Sequence, residues 1–224
     1  GLSFRAELIL KFRQGVINRS KEIIDICISE AGKTRPDAEA ELDRAVQALT
    51  HAAGVQHFYP SNYSQNVAGG IDIADLRFPI GVIAGVGPFN FPILIPILHS
   101  AMALVTGNTY IAKPSEKVPS ISRLYADIWN EAGLPDGCYN VVHGEKEIVE
   151  LLVKHEKVDG LAFIGSTVAA KSLKMLGVEH NTKVQALGGG KNHMIELEEQ
   201  TKSILEKKKV KSKNFTKQIA FNII

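Results

Sequence analysis

An apolar run from Ile80 to Val86 ends in Gly85, Gly87 and Pro88, and Phe89-Asn90-Phe91-Pro92 follows at once. A second and longer apolar stretch, Ile93 to Val105, leads into Gly107-Asn108, a short Thr109-Tyr110-Ile111-Ala112-Lys113 segment and Pro114-Ser115-Glu116. Few folds accommodate this order. A short run bounded by Gly and Pro predicts a strand, the longer one predicts a helix, and Gly-Asn predicts a turn. Residues 79–116 therefore predict one strand–helix–strand unit. Its polar residues fall at the carboxyl ends of the two strands, where open α/β sheets bind ligands.

Before this unit the pattern is helical. Leu8, Phe12, Val16, Ile23, Ile24, Cys27 and Ile28 recur at mostly helical spacing within residues 4–31, and Gly32 predicts a left-handed cap. A second helix is expected from Asp37, just after Pro36, to about Phe58, with Pro60-Ser61-Asn62 ending it. Residues 61–78 lack clear periodicity and predict a loop with a short strand. After the central unit, helices are expected at Pro119–Glu131, Glu145–His155 and from Ser166 to about Leu176. Strands are expected at Cys138–His143, Val158–Ile164 and Lys183–Leu187. This alternation predicts an α/β fold, a doubly wound parallel sheet of Rossmann-like kind with flanking helices.

Composition narrows the partners. The 224 residues are 45% hydrophobic and 22% charged with a net charge of +2, too small a charge to imply nucleic acid or a membrane surface. Two cysteines, Cys27 and Cys138, give neither a disulfide framework nor metal-ligand spacing and suit a reducing compartment, the cytoplasm or the mitochondrial matrix. The longest apolar run is too short to span a bilayer. From Thr201 the character changes: Lys202, Lys207, Lys208, Lys209, Lys211, Lys213 and Lys217 crowd the end of the chain. Without interleaved aromatics or a binding fold, residues 201–224 are expected to be a tail and not a nucleic-acid site.

The familiar dinucleotide and phosphate fingerprints are absent. Gly85-Val86-Gly87-Pro88-Phe89-Asn90 has Asn where the third glycine should stand, and Gly188-Gly189-Gly190-Lys191 lacks P-loop spacing. Gly165-Ser166-Thr167 offers an alternative, because a strand gives way there to a helix whose amino end favours an anion. Read alone, Ser166 is as well explained as an N-cap. Lys113 and Glu116 lie three apart after a strand, a spacing equally compatible with a surface ion pair.

Taken together, Pro88-Phe89-Asn90-Phe91-Pro92, Gly107-Asn108-Thr109, Lys113-Pro114-Ser115-Glu116, Phe163-Ile164-Gly165-Ser166-Thr167 and Gln185–His193 resemble the aldehyde dehydrogenase superfamily, most closely its acylating methylmalonate-semialdehyde branch. The resemblance covers roughly residues 4–197. It implies a chain comprising an NAD-binding domain, residues 1–200, incomplete at its amino end and without the catalytic domain. NAD would lie against Val86, Pro88, Phe89, Gly144, Phe163, Gly165, Ser166 and Leu187, with its adenine-side ribose held by Lys113 and Glu116. A carboxylate at Glu116 would repel a 2′-phosphate and so favour NAD over NADP.

The resemblance further implies that Asn90 donates to the aldehyde oxygen as charge builds there. It also implies that Arg44, or less favourably Arg77, holds the carboxylate of a semialdehyde. The family's nucleophilic cysteine has no counterpart in these residues, since Cys27 and Cys138 read as core thiols. The family's hydrolytic general base is replaced by Ala186, which fits transfer to coenzyme A, a thiol that attacks without such a base. The resemblance implies a homo-oligomeric parent enzyme and an inactive isolated chain. A non-catalytic NAD-binding or dimerisation module is the alternative.

Overall fold

The computed structural model describes residues 1–59 and 61–190. Lys191, Asn192 and His193, and the tail expected at 201–224, lie outside the described residues. Gly1–Gly188 form one compact unit.

The central unit folds as its pattern requires. Strand β3 (Val82–Val86) and strand β4 (Thr109–Lys113) pair in parallel, Val82 opposite Thr109 through to Val86 opposite Lys113, and helix α5 (Leu94–Val105) crosses between them. Asn108 closes the crossover. Its side-chain oxygen accepts from the N–H groups of Ile80 and Gly81, and its amide donates to the Ala103 carbonyl.

Three further strands complete a five-stranded parallel sheet: β5 (Tyr139–Val141), β6 (Gly160–Ile164) and β7 (Lys183–Leu187), in the order β5-β4-β3-β6-β7. The chain winds outward from β3 through β4 to β5, then returns to place β6 on the other side of β3. The sheet is doubly wound, and its order reverses between β3 and β6.

Alternation along the strands separates two cores. Ala84, Val86, Leu161, Phe163 and Ala186 face helices α7 (Lys146–Lys154) and α8 (Thr167–Glu179). Tyr110 and Ala112 face the other way, into a larger cluster with α5 and helix α6 (Ser120–Glu131). Helices α1 (Leu2–Asn18), α2 (Ser20–Ala31) and α3 (Arg35–Ala53) pack outside α5 and α6. Phe12 of α1 stacks on Trp129 of α6 at 3.8 Å.

Three boundaries differ from the sequence expectation. Residues 4–31 form two helices, because the chain breaks at Arg19, whose guanidinium bridges Glu22 and Glu131. The helix expected to Phe58 ends at Ala53, Gly54 caps it, and a one-turn helix α4 (Val55–Phe58) follows. Residues 61–78 hold an antiparallel ribbon, β1 (Tyr63–Ala68) with β2 (Ile71–Ala74), exposed at every position. The Gly32 cap is left-handed, φ 68°, as expected.

Candidate functional site

The reversal of strand order opens a crevice of about 670 Å³ at the carboxyl end of the sheet. Its floor is the end of β3, Val86-Gly87-Pro88, beside the end of β6, Ile164-Gly165-Ser166. A strand-order reversal separates the two connecting loops and leaves space between them. Val86, Pro88, Phe89, Lys113, Glu116, Phe163, Gly165 and Ser166, the larger part of the expected cofactor set, all line it.

Lys113 ends β4 and is only 4% exposed, so it is no ordinary surface lysine. Its Nζ lies 3.7 Å from Glu116, which is half-exposed. A buried cation and an accessible carboxylate thus stand side by side at the crevice. Ser166 is the N-cap of α8: its Oγ accepts from the Ala169 N–H at 3.3 Å. Capping uses an acceptor lone pair and leaves the hydroxyl proton available to donate, so the two roles weighed for this serine coexist. The Gly165 N–H is not available, because it donates to the Leu187 carbonyl. At Gly165 the Phe163 ring packs so closely that a Cβ would lie 2.5 Å from it. Glu145, Lys146 and Val149 at the start of α7 complete the rim. No sequence motif singled them out; their position follows from where α7 begins.

Four expected residues lie outside the crevice. Gly144, φ 141°, is packed against Ile148, and only its neighbours Glu145 and Lys146 reach the rim. Leu187 belongs to a groove on the other face of the sheet, with Gln185, Ile164 and, from α5, Leu98 and His99. Arg44 is exposed on α3, in a depression shared with His51, Leu94 and Met102. Asn90 sits next to the crevice but does not line it. The apolar surround expected for it is not there: Asn90 is exposed, and Phe89 and Phe91 on either side are 50% and 40% exposed.

The loop carrying Asn90 is nevertheless held firmly. Lys117 lies over the Phe89 ring at 4.7 Å and Lys33 over Phe91 at 4.5 Å. Glu41 accepts from the N–H groups of Ile93 and Leu94, both at 2.8 Å. Arg77 already pairs with Asp75 at 3.7 Å and stacks over Tyr59, which leaves Arg44 the more available of the two arginines.

Neither thiol belongs to the crevice. Cys27 is fully buried, and burial, with a smaller contribution from Glu41, pushes its pKa up to about 11. Cys138 lies at the opposite end of the sheet, before β5. Among the described residues no cluster of His, Cys, Asp and Glu could hold a metal ion, and no helix is long and apolar enough to cross a membrane.

Comparison with known proteins agrees with this layout. The malonate-semialdehyde dehydrogenase of Pseudomonas aeruginosa is 40% identical over 191 residues, 85% of this chain and 38% of that protein. The bovine mitochondrial methylmalonate-semialdehyde/malonate-semialdehyde dehydrogenase, described as acylating, is 35% identical over 88% of this chain and 37% of its own length. A crystal structure of a Sinorhizobium meliloti protein, described as a methylmalonate-semialdehyde dehydrogenase and complexed with NAD, superposes with a TM-score of 0.82. It is 35% identical, over 86% of this chain and 39% of that one. The chain thus spans well under half the length of each. The profile of the Aldehyde dehydrogenase family matches residues 2–207, and the chain belongs to that family.

Proposed function

We propose that this chain is the NAD-holding part of an acylating dehydrogenase for malonate or methylmalonate semialdehyde. Residues 1–200 make up the cofactor domain in this reading. The observation that carries the reading is the crevice at the strand-order reversal, where Lys113, Glu116 and Ser166 meet around an apolar wall of Val149, Phe163 and Leu173.

The residues present fit a dinucleotide. The wall accepts a flat base. The amino end of α8 and the Ser166 hydroxyl favour a phosphate. Lys113 and Glu116 supply a donor and an acceptor for ribose hydroxyls. When bound, NAD would supply the hydride acceptor for aldehyde oxidation. Asn90, exposed and with its amide clear of the crevice floor, would donate to the aldehyde oxygen, and Arg44 would orient a carboxylate at the far end of the substrate. Ala186, buried where a hydrolytic base would stand, favours coenzyme A as acyl acceptor. The parent enzyme is a homo-oligomer in this reading.

The positions of the two thiols favour a second element of the proposal. With Cys27 inert and Cys138 remote, these 224 residues hold cofactor and do not oxidise aldehyde by themselves. Calorimetry tests both parts. NAD should bind saturably, and Ser166→Ala and Lys113→Met should each weaken it by about tenfold, one charge-assisted or phosphate hydrogen bond apiece. No heat of binding at millimolar NAD would overturn the cofactor reading. NADH production from malonate semialdehyde by the purified chain would overturn the non-catalytic one.

A further inference from the structure

We propose that Asp136-Gly137 is a site of spontaneous covalent modification, isomerising to isoaspartate, and that the fold protects the same dipeptide at Asp159-Gly160. These are the chain's two Asp-Gly pairs, and it has no Asn-Gly. A glycine with no Cβ hinders least the closure of a ring on its own nitrogen. The crevice and its cofactor play no part.

Asp136 and Gly137 form the tip of the turn before β5, and both are exposed. Gly137 has φ 80°, and a Cβ there would meet nothing within 4 Å, so a five-membered ring has room to form. Among the described residues no hydrogen bond or ion pair holds the Asp136 carboxylate or the Gly137 N–H. Asn140 donates to the Gly137 carbonyl at 2.7 Å and leaves the nitrogen free. Asp159 is held at three points. Its Oδ2 accepts from the Val82 N–H at 2.8 Å, its own N–H donates to the Val82 carbonyl, and its carbonyl accepts from the Lys183 N–H. Gly160 is buried at the start of β6, between Ile83 of β3 and Lys183 of β7, where a Cβ would lie 3.1 Å from Ile83. Ring closure there requires β6 to leave the sheet.

In the reaction the Gly137 nitrogen attacks the Asp136 carboxyl carbon. A nitrogen–carbon bond forms, and the N–H proton and the carboxyl hydroxyl leave as water. Water then cleaves the succinimide between its nitrogen and the main-chain carbonyl carbon, so that the chain runs on through Cγ. Composition is unchanged and water is the only reagent. The backbone gains a methylene in a turn closed by the Cys138 N–H on the Pro135 carbonyl, and the Cys138 carbonyl accepts from the Tyr110 N–H of β4. The product thus lengthens the connection that sets β5 against β4.

Trypsin separates the two sites into residues 124–146 and 158–171. An isoaspartyl methyltransferase with labelled S-adenosylmethionine marks the product, and fragmentation locates it. After weeks in warm neutral buffer the folded 224-residue chain should carry at least about tenfold more isoaspartate at Asp136 than at Asp159. In urea the two sites should become alike. Asp136→Glu, whose ring would need six members, should remove the label from residues 124–146 and leave that at Asp159 unchanged. The comparison of folded and urea-treated chains decides alone if this variant does not fold. The proposal is overturned by equal labelling of the two sites in the folded chain, by an excess at Asp159, by a label in residues 124–146 that survives Asp136→Glu, or by an Asp136 that is labelled only in urea.

Discussion

Glu41 occupies the buried face of α3 between Ala38 and Leu42, where an apolar residue would be expected. One oxygen takes the Ile93 and Leu94 N–H groups, and the other pairs with Lys33 at 2.5 Å. A single carboxylate therefore pins the amino end of α5 and, with it, the loop that presents Asn90. Glu41→Gln keeps an acceptor but leaves Lys33 unpaired. It should lower the unfolding free energy by about 3 kcal/mol, read from urea denaturation, because removing one member of a buried pair strands the other. The signal was present in the sequence: a carboxylate three residues from one apolar position and next to another, on a helix whose other stripe positions are Ala and Leu. Glu116 makes the complementary case. It is half-exposed, so its repulsion of a 2′-phosphate is screened, and Glu116→Gln should improve NADP binding relative to NAD by about tenfold in parallel titrations.

At the scale of elements, α5 carries His99 into the groove shared with Gln185 and Leu187. Its Nδ1 is buried without a partner, and burial alone lowers its pKa to about 4. The ordinary value is 6.5, so below that pH the unfolded chain gains a proton that the folded chain refuses until about pH 4. Stability should therefore fall by about 3 kcal/mol between pH 6.5 and 4 and not change further from this group. His99→Leu should remove that slope in urea midpoints taken at pH 7, 5.5 and 4. The strand–helix–strand unit containing α5 was legible because its period, its Gly-Asn turn and its Pro boundaries all agree. The break between α1 and α2 was not, because no Gly or Pro marks it; Arg19 leaves helical geometry there, at φ −101° and ψ 19°, and pairs with Glu22 and the distant Glu131. The near-fingerprint at Gly85 misleads for a related reason. A Cβ there would lie against the Tyr110 hydroxyl, so that glycine serves packing between β3 and β4 rather than a phosphate.

Across the whole molecule, the site depends on strand order, which no local pattern encodes. Five strands could be read along the chain, but that β6 returns to the side of β3 opposite β4 is a tertiary fact, and the crevice exists only because of it. Residues at strand ends could be nominated from motifs, whereas Glu145, Lys146 and Val149 could not. The same architecture distributes stability unevenly. β3 is hydrogen-bonded on both edges, to β4 and β6, and is covered by a core on each face. The β1–β2 ribbon pairs only with itself, carries a register shift between Ser64 and Ala68, and is exposed along its full length. Amide groups in β3 and β4 should exchange with solvent deuterium only on global unfolding. Those of Tyr63–Ala68 and Ile71–Ala74 should exchange by local opening, at least a hundredfold faster, since an isolated two-stranded ribbon whose apolar residues stay exposed is marginal in water. Equal protection of ribbon and central sheet, at protein concentrations from about 1 to 100 µM and judged against ~1.4 kcal/mol per tenfold in rate, would contradict this. Protection that appears only at the upper concentration would mean that a second molecule covers the ribbon's apolar residues, among them Tyr63, Val67, Ile71 and Ile73.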